Sequence, residues 1–163
     1  MSKAVIAFGS NLGDRLQTLR SAAQAIASLP NTRWLDGSSV YESIAVGPEQ
    51  PDYLNAVAVV DTDLSPAVLL SELHRIEAEH GRVRVQHWGP RTLDLDLVDF
   101  AGVRSDRVEL RIPHPLAAER SFVLTPLAEV APAWELSGQS ATELAAGCVQ
   151  GGLLKVADPG WWE

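Results

Sequence analysis

Hydrophobic positions along the chain follow two periods, and the order of these periods predicts how the chain begins. A short apolar run at residues 4–8 is typical of a buried strand. Apolar residues then recur every three or four positions, which is the spacing of one helix face, at Leu16, Leu19, Ala23 and Ile26. The chain therefore opens with a strand that is followed by a helix.

The sequence GSNLGD at residues 9–14 connects this strand to this helix. Glycines permit a tight turn, and the serine, asparagine or aspartate could cap the helix. A phosphate-binding loop is the alternative interpretation. The stretch matches neither the Walker A sequence nor G-x-G-x-x-G, so the pattern favours a structural turn.

Two more strands are predicted, over residues 33–45 and 53–62. In the second strand, successive residues point to opposite faces. One face carries Tyr53, Asn55, Val57 and Val59, and the other carries Leu54, Ala56, Ala58 and Val60. The tyrosine and asparagine at the start could stack on and hydrogen-bond a flat heterocycle. Alternatively, the tyrosine packs in the core and the asparagine caps a turn.

A serine–proline pair at residues 65–66 predicts the start of a second helix, with serine as the N-cap and proline in the first turn. Leu69, Leu73 and Ile76 form its buried stripe, and Gly81 is the expected stop.

His74 and Glu77 are three positions apart in this second helix, so we expect them to share a helix face. That face is either solvated surface or part of a site. The second interpretation rests on its place in the chain, because the helix leads directly into the stretch with the most pronounced charge pattern.

That stretch runs from Arg82 to Asp96. Its end alternates apolar and acidic residues, which predicts a strand with Asp94 and Asp96 on one face and their Cα atoms roughly 6–7 Å apart. Two carboxylates this close repel each other unless a cation lies between them, and hard oxygen ligands suit Mg²⁺. An edge strand with two solvated aspartates explains the spacing equally well.

The first half of the same stretch carries no acid and three arginines, which are Arg82, Arg84 and Arg91. A glycine–proline pair at residues 89–90 predicts that it is a loop. Arginine offers phosphate a bidentate fork. A loop of this kind beside a carboxylate pair could hold a metal–polyphosphate.

Residues 103–110 predict an edge hairpin, and a helical pattern interrupted by a proline covers residues 116–130, with Arg120 and Phe122 near its middle. His114 lies between two prolines that hold the backbone extended. It could donate a hydrogen bond to a phosphate, although a lone histidine is more often structural.

The predicted elements have the order β-α-β-β-α-β, followed by extra C-terminal elements. We therefore expect an α+β, ferredoxin-like fold, with an antiparallel sheet, helices packed on one face and ligands on the other face. A single domain over residues 1–163 accounts for the length. In the weakly patterned tail, we expect a short helix near Leu144 and packing of residues 161–162 against the body.

Composition narrows the class of protein. The net charge of −8 argues against a nucleic-acid partner, which requires a basic face. No apolar run approaches the roughly 18 residues of a membrane span. The lone cysteine, Cys148, excludes an internal disulfide and fits a reducing compartment. We expect a cytoplasmic monomer with no membrane or nucleic-acid partner.

Four stretches of the sequence form a recognisable set. They are GSNLGDR at residues 9–15, YES and VGPEQPDYLNAV within residues 41–57, E-x-x-x-GRVR and HWGPRTLDLDL within residues 77–97, and IPHP and RSFVLTPLAEVAP within residues 112–132. Taken together, they resemble a known family, the 6-hydroxymethyl-7,8-dihydropterin pyrophosphokinases of the folate pathway. The resemblance spans residues 4–132 in the same order.

The resemblance implies transfer of the terminal pyrophosphoryl unit of ATP to the pterin hydroxymethyl group, with release of AMP. By the family's pattern, Asp94 and Asp96 bind two Mg²⁺ ions that bridge the phosphates, and Arg82 and Arg91 close over the polyphosphate. Asp96 is also a candidate acceptor of the hydroxyl proton.

The resemblance also implies the substrate contacts. The residues on the pterin side are Ser43, Val46, Gly47, Tyr53, Asn55, Trp88 and Phe122. Tyr53 and Phe122 would sandwich the ring, Asn55 would read its edge, and Trp88 would cap it. The residues on the ATP side are His74, Glu77, Arg84, His114 and Arg120.

Two other functions fit the same elements. Many ferredoxin-like domains only sense small molecules, and a metal-dependent phosphohydrolase could use the same D-x-D pair. Fold alone does not choose between these functions and pyrophosphate transfer.

Overall fold

A computed structural model of the chain describes residues 1–11, 13–43, 52–80, 93–148 and 153–163. The helices are α1 (Arg15–Ala27), α2 (Pro66–Glu79), α3 (Ser121–Val130) and α4 (Ala141–Gly147), with a 3-10 turn over Ala117–Glu119. The strands are β1 (Ser2–Ser10), β2 (Thr32–Gly37), β3 (Val40–Ser43), β4 (Tyr53–Thr62), β5 (Asp94–Phe100), β6 (Ser105–Arg107), β7 (Leu110–Ile112), β8 (Glu135–Leu136), β9 (Gln139–Ser140) and β10 (Leu153–Ala157).

The main sheet has the strand order β10-β3-β4-β1-β5, and β2 pairs with the part of β4 beyond β3. All of these pairings are antiparallel. Counting β2 and β3 as one interrupted strand, the order β1-α1-β2/β3-β4-α2-β5 is the predicted ferredoxin-like arrangement. The predicted fold is therefore confirmed.

The sheet separates two hydrophobic cores, because alternate residues of its central strands point to opposite faces. Ala4, Ile6 and Phe8 of β1 join the core that contains the apolar stripes of α1 and α2. Val5 and Ala7 join the core that contains α3 and α4. We call the second side of the sheet the α3 face. The helices of the βαββαβ unit lie on one face, and the C-terminal helices cover part of the other.

The two helices of the βαββαβ unit begin where the sequence predicts, because each has a side-chain cap. The carboxylate of Asp14 accepts from Gln17 N at the start of α1. The hydroxyl of Ser65 accepts from Val68 N at the start of α2, with proline in the first turn. A cap of this kind contributes about 1 kcal/mol relative to alanine. The predicted stop of α2 at Gly81 lies outside the described residues.

The structure corrects the prediction of one long strand over residues 33–45. The chain leaves the regular ladder between β2 and β3, at Ser38 and Ser39. There the hydroxyl of Ser38 accepts from Val57 N at 2.9 Å, while Ser38 N donates to Val57 O at 2.8 Å. A serine side chain therefore replaces a backbone acceptor, which a pattern of apolar positions does not reveal.

The helical pattern over residues 116–130 is also interrupted at a different place. The break falls at Arg120, whose backbone is extended, between the 3-10 turn and α3. Pro126 lies inside α3. The helix continues because a proline removes only one backbone hydrogen bond, and its cost can be offset by packing of a buried side chain. The predicted hairpin appears slightly later than expected, as β6 and β7.

The C-terminal tail packs back on the body, as predicted, and adds an element that the sequence did not indicate. Strand β10 pairs with β3 and extends the sheet at that edge. The ring of Trp161 lies 6.0 Å from that of Phe8 and 5.6 Å from that of Trp162, and its Nε1 donates to Ser38 O at 2.7 Å. Within the described residues, no helix is both long and apolar enough to span a bilayer.

Candidate active site

A row of residues crosses the sheet where β1, β4 and β5 run side by side. Asn55 of β4 is the register partner of Gly9 on one side, and Asp94 of β5 is its partner on the other. Tyr53 and Asp96 lie two positions along their own strands, so they share the faces of Asn55 and Asp94. The alternation that directs Ala7 and Val98 to the α3 face directs this row there too.

Three side chains of this row, those of Asn55, Asp94 and Tyr53, approach one point above Gly9. A Cβ atom placed on Gly9 would lie 3.7 Å from Asn55 Oδ1, 3.7 Å from Asp94 Cβ and 3.7 Å from Tyr53 Cδ1. One of the predicted metal ligands therefore lies next to two of the predicted pterin-binding residues. Their positions in sequence do not show this, because Tyr53 and Asn55 come from β4 and Asp94 comes from β5, and the two strands meet only through β1.

The carboxylate pair has the arrangement that its spacing predicts. Asp94 and Asp96 alternate along β5 with Leu95 and Leu97, which are buried in the core of α1 and α2. Both aspartates are half-buried. In the described sheet, β5 pairs with β1 and forms an end of the strand order, so the two carboxylates lie near the border of the sheet.

Asn55 is held in one orientation by its neighbours. It is only 4% exposed, and its Nδ2 donates to Ser43 Oγ at 2.7 Å. Because the amide nitrogen faces Ser43, the amide oxygen faces the Gly9 side, which agrees with the 3.7 Å distance to the Cβ position there. The side chain lies within the sheet, so the alternative interpretation of Asn55 as a turn cap is wrong.

Glu77 does not share an accessible helix face with His74, although the spacing of three residues predicted this. His74 is exposed, whereas Glu77 is 3% exposed and continues the buried stripe of α2. Its Oε2 accepts from Leu95 N at 2.8 Å, between the two aspartates of β5. The spacing of three residues did not distinguish these positions, because the boundary of the buried stripe passes between them.

Three predicted residues come from the segment that leads into α3 and from the first turn of that helix. His114 N donates to Val98 O at 2.7 Å, which ties the segment to β5, and His114 Nδ1 accepts from Leu116 N at 3.2 Å. A neutral imidazole that accepts at Nδ1 carries its proton on Nε2. Arg120 Cζ lies 5.5 Å from the centroid of the Phe122 ring, a cation–π contact.

The remaining predicted site residues lie outside the described part of the chain. On the pterin side these are Val46, Gly47 and Trp88, and on the phosphate side they are Arg82, Arg84 and Arg91. The predicted arginine-bearing loop therefore stays a prediction.

Arg15 is a residue next to the site that the sequence analysis did not single out. Its Nη1 donates to Glu42 Oε2 and to the carbonyl oxygen of Asp52, both at 2.7 Å. These contacts tie the start of α1 to the end of β3 and to the residue before β4. The sequence does contain a clue to this role. Arg15 is the last residue of GSNLGDR and stands at a helix start, where the helix dipole disfavours a cation, so its position calls for a nearby acceptor.

Glu129 of α3 supports β3 from the α3 face. Its carboxylate accepts from Ser39 N at 2.9 Å, from Ser39 Oγ at 2.7 Å and from Tyr41 Oη at 2.7 Å. Burial raises the pKa of Tyr41 to about 12, and the hydrogen bond to the carboxylate adds to this shift. Desolvation opposes ionisation of Glu129, but the hydrogen bonds from Ser39 and Tyr41 prevail and lower its pKa.

Comparison with known proteins identifies the family. The family model for 7,8-dihydro-6-hydroxymethylpterin-pyrophosphokinase (HPPK) matches residues 5–132. A 2-amino-4-hydroxy-6-hydroxymethyldihydropteridine pyrophosphokinase of Haemophilus influenzae is 48% identical over 132 residues, which cover 80% of this chain and 82% of the relative. The chain belongs to the HPPK family. The Pseudomonas aeruginosa relative with the same name is 42% identical and aligns over 96% of this HPPK and 98% of its own length.

Solved structures support the fold of this HPPK. A crystal structure of an HPPK-DHPS protein in complex with substrates has a TM-score of 0.69 and 13% identity, and covers 90% of this chain. A Plasmodium falciparum HPPK-DHPS structure with pteroate has a TM-score of 0.67, 14% identity and 89% coverage. This HPPK spans 45% and 42% of those two chains. At such identities the likeness shows the fold alone.

Proposed function

We propose that this HPPK transfers pyrophosphate from ATP to the hydroxymethyl group of 6-hydroxymethyl-7,8-dihydropterin, giving the pterin diphosphate and AMP, in folate biosynthesis. The hydroxymethyl oxygen attacks the β-phosphorus of ATP. The bond from that phosphorus to the oxygen bridging it to the α-phosphate breaks, its electrons leave with AMP, and the hydroxyl proton is released. The convergence of Asp94, Tyr53 and Asn55 around Gly9 carries this proposal, because it joins a phosphate-side group to two heterocycle-side groups.

Asp94 and Asp96 would hold two Mg²⁺ ions together with the phosphates of ATP. Two half-buried carboxylates on one face of a strand near the sheet border fit this role, because Mg²⁺ takes one or two carboxylates and fills its other positions with water and phosphate oxygens. The bound metal neutralises charge on the transferred group. Asp96 is also our candidate for receiving the hydroxyl proton.

Tyr53 and Phe122 would stack on the pterin ring, and Asn55 would bind its edge. Asn55 is suited to this role because Ser43 orients its amide and removes most of its rotational freedom before the substrate binds. Preorganised groups lose less entropy when the ligand arrives. Val46, Gly47 and Trp88 complete this side of the proposed site on the strength of the family resemblance.

His114 and Arg120 would bind phosphates on the nucleotide side. With its proton on Nε2, the His114 ring can donate to an oxygen, and Arg120 carries a permanent positive charge. His74, Arg82, Arg84 and Arg91 complete the nucleotide side by the family resemblance, with Arg82 and Arg91 over the polyphosphate.

Glu77 would act on the nucleotide side through β5 rather than by touching ATP. Its carboxylate is buried and accepts the N–H of Leu95, which lies between the two aspartates. This hydrogen bond fixes the strand that presents both carboxylates. We therefore propose Glu77 as a positioning residue.

One assay tests the proposed function against its two alternatives. The protein is mixed with MgATP and 6-hydroxymethyl-7,8-dihydropterin, and the products are separated chromatographically. Equal amounts of AMP and pterin diphosphate are expected. Release of ADP or free phosphate without pterin diphosphate would indicate a phosphohydrolase, and tight pterin binding without turnover would indicate a sensing module.

We also propose that the chain acts as one domain and as a monomer in the cytoplasm. The free cysteine, Cys148, is consistent with a reducing compartment. Sedimentation of the purified protein at several concentrations tests the monomer, and a concentration-dependent increase in mass would contradict it.

A further inference from the structure

Gly9 occupies the centre of the site, yet the fold gives no reason for a glycine there. It lies inside β1 and pairs with strands on both sides, and its φ is outside the left-handed range. Among the residues that the structure describes, a Cβ atom would meet nothing closer than 3.7 Å. A glycine in a strand costs roughly 0.5–1 kcal/mol relative to alanine. Alanine would therefore suit the protein alone better than glycine does.

The absent side chain of Gly9 leaves a space on the α3 face between the residues of its two neighbouring strands. Its partners Asn55 and Asp94 belong to adjacent strands, so their Cα atoms lie about 10 Å apart across β1. Both partners carry side chains and Gly9 carries none. The result is a trough on the α3 face, with Gly9 as its floor, Asn55 and Tyr53 on one side and Asp94 on the other.

We propose that Gly9 is a binding residue that forms the floor under the hydroxymethyl arm of the pterin, and that its missing side chain lets this arm reach the phosphate. This inference rests on the proposed function, in which Tyr53 and Asn55 hold the ring and Asp94 faces the phosphates. The arm between ring and phosphate must then cross the trough.

The reaction makes this crossing sensitive to small displacements. The attacking oxygen must come within about 3–3.5 Å of phosphorus, and a misplacement of 1 Å can cost about 100-fold in rate. A methyl group on Gly9 would project into the trough between the two sets of contacts. It would displace the arm while leaving the protein's own packing intact, because all three of its contacts are ordinary van der Waals distances.

The test compares Gly9→Ala with wild type and with Gly147→Ala. Gly147 is a suitable control because it is also a glycine outside the left-handed range and lies at the end of α4. In the described part of the chain, no atom lies within 4 Å of the position its Cβ would take. Four quantities are measured for each protein. They are the thermal unfolding midpoint, the affinity for a non-hydrolysable ATP analogue with Mg²⁺, the pterin affinity in the presence of that analogue, and the turnover with MgATP.

Gly9→Ala should unfold at or above the wild-type temperature and bind the ATP analogue as wild type does. Its pterin affinity, its kcat or both should fall by about 10- to 200-fold, the range for one added carbon in a close-fitting pocket. Gly147→Ala should match wild type throughout.

Three results would overturn the inference, and they are distinct from failure of the proposed function. Wild-type pterin affinity and turnover in Gly9→Ala would show that nothing needs the trough. An unfolding midpoint well below wild type would show that the fold itself requires the glycine. Equal losses of ATP-analogue and pterin affinity would show that the substitution disturbs the whole site and not the pterin arm specifically. If wild type itself makes no pterin diphosphate, the proposed function fails, and this inference fails with it.

Discussion

The carboxylates of Asp94 and Asp96 are the groups on which the proposed chemistry depends most directly. They lie on one face of β5, and Asp94 is the one next to the pterin-side residues Tyr53 and Asn55. Substitution of either by alanine should abolish turnover, because metal-assisted charge stabilisation is lost. Pterin binding without nucleotide should survive. Product analysis and equilibrium binding of the pterin, each over a Mg²⁺ titration, measure the two effects.

Asp106→Ala is the matched control for this prediction, since Asp106 is an exposed aspartate in β6 of the hairpin. It should leave both measurements unchanged. Full turnover in Asp94→Ala and Asp96→Ala would exclude these residues as the metal site.

Glu77 offers a second test at the scale of a single residue. Glu77→Ala removes the acceptor for the buried N–H of Leu95, which should lower the free energy of unfolding by about 1–3 kcal/mol. Glu77→Gln keeps an acceptor oxygen and should lose less. Urea unfolding followed by circular dichroism measures both. If Glu77 positions β5, the alanine variant should also need more Mg²⁺ for half-maximal turnover than the glutamine variant.

An equal Mg²⁺ requirement in the two Glu77 variants would contradict the positioning role. A nucleotide contact through the carboxylate charge would instead make Glu77→Gln as impaired in ATP affinity as Glu77→Ala.

At the scale of elements, Arg15 connects α1 with the ends of β3 and β4. Arg15→Ala removes donors to Glu42 and to the carbonyl of Asp52, next to the strand ends that carry Ser43 and Tyr53. A half-exposed pair of this kind contributes about 1 kcal/mol or less to stability. The functional effect should be larger on the pterin KM than on the ATP KM, because the pterin-side residues lose their alignment. Steady-state kinetics with each substrate varied separates these effects.

Arg33→Ala is the control for Arg15→Ala, since Arg33 also pairs with an acid, Asp61 of β4, but is 70% exposed at a distance of 3.5 Å. It should change neither KM. Equal increases of both KM values in Arg15→Ala would indicate general destabilisation instead of a local effect on the pterin side.

The contact between β3 and α3 predicts a dependence of stability on pH. Tyr41 has a pKa of about 12 in the folded protein against 10.0 when unperturbed, so the fold favours its neutral form. Its contribution is complete below pH 10 and is lost as pH rises from 10 to about 12. The pKa of Glu129 is lowered instead, so its contribution is present above the usual glutamate pKa and is lost on acidification below it.

Unfolding midpoints measured from acid to alkaline pH test both predicted losses of stability, the alkaline one from Tyr41 and the acid one from Glu129. Tyr41→Phe should flatten the alkaline decline, and Glu129→Gln should flatten the acid decline. Glu119→Gln is a control for Glu129→Gln because Glu119 is an exposed glutamate of the preceding 3-10 turn. An unchanged alkaline decline in Tyr41→Phe would show that other groups cause it.

The elements that were predicted correctly are those in which the hydrophobic pattern or the capping residues lie within the element itself. The start of β5 alternates because it has one buried and one polar face, β4 is a largely apolar run buried on both faces, and α2 begins at a serine–proline pair that caps it locally. The break between β2 and β3 and the pairing of β10 were missed because both depend on partners far away in sequence. Convergence at Gly9 depends on register between three strands, which periodicity does not determine.

At the scale of the whole molecule, the last residues of the C-terminal tail, Trp161 and Trp162, act as structural support on the side of the sheet opposite the site. Trp161 is 5% exposed and packs with Phe8 in the core of α1 and α2, whereas the site lies on the α3 face. Arg20 Nε also donates to Trp161 O at 2.7 Å, which fixes the tail to α1. The HPPK family model ends at residue 132, so this support lies beyond the part of the chain that the model matches.

Trp161→Ala should therefore lower stability without altering the chemistry. Removal of a buried tryptophan costs about 3–5 kcal/mol, which in a domain of this size lowers the unfolding midpoint by about 10 °C. Leu154→Ala, at a position on β10 that is 64% exposed, should have little effect. Assayed below the unfolding transition, Trp161→Ala should keep the wild-type kcat and both KM values. A fall in kcat with an unchanged unfolding midpoint would mean that the tail takes part in the reaction, because loss of packing alone acts through the folded fraction and not on the folded enzyme.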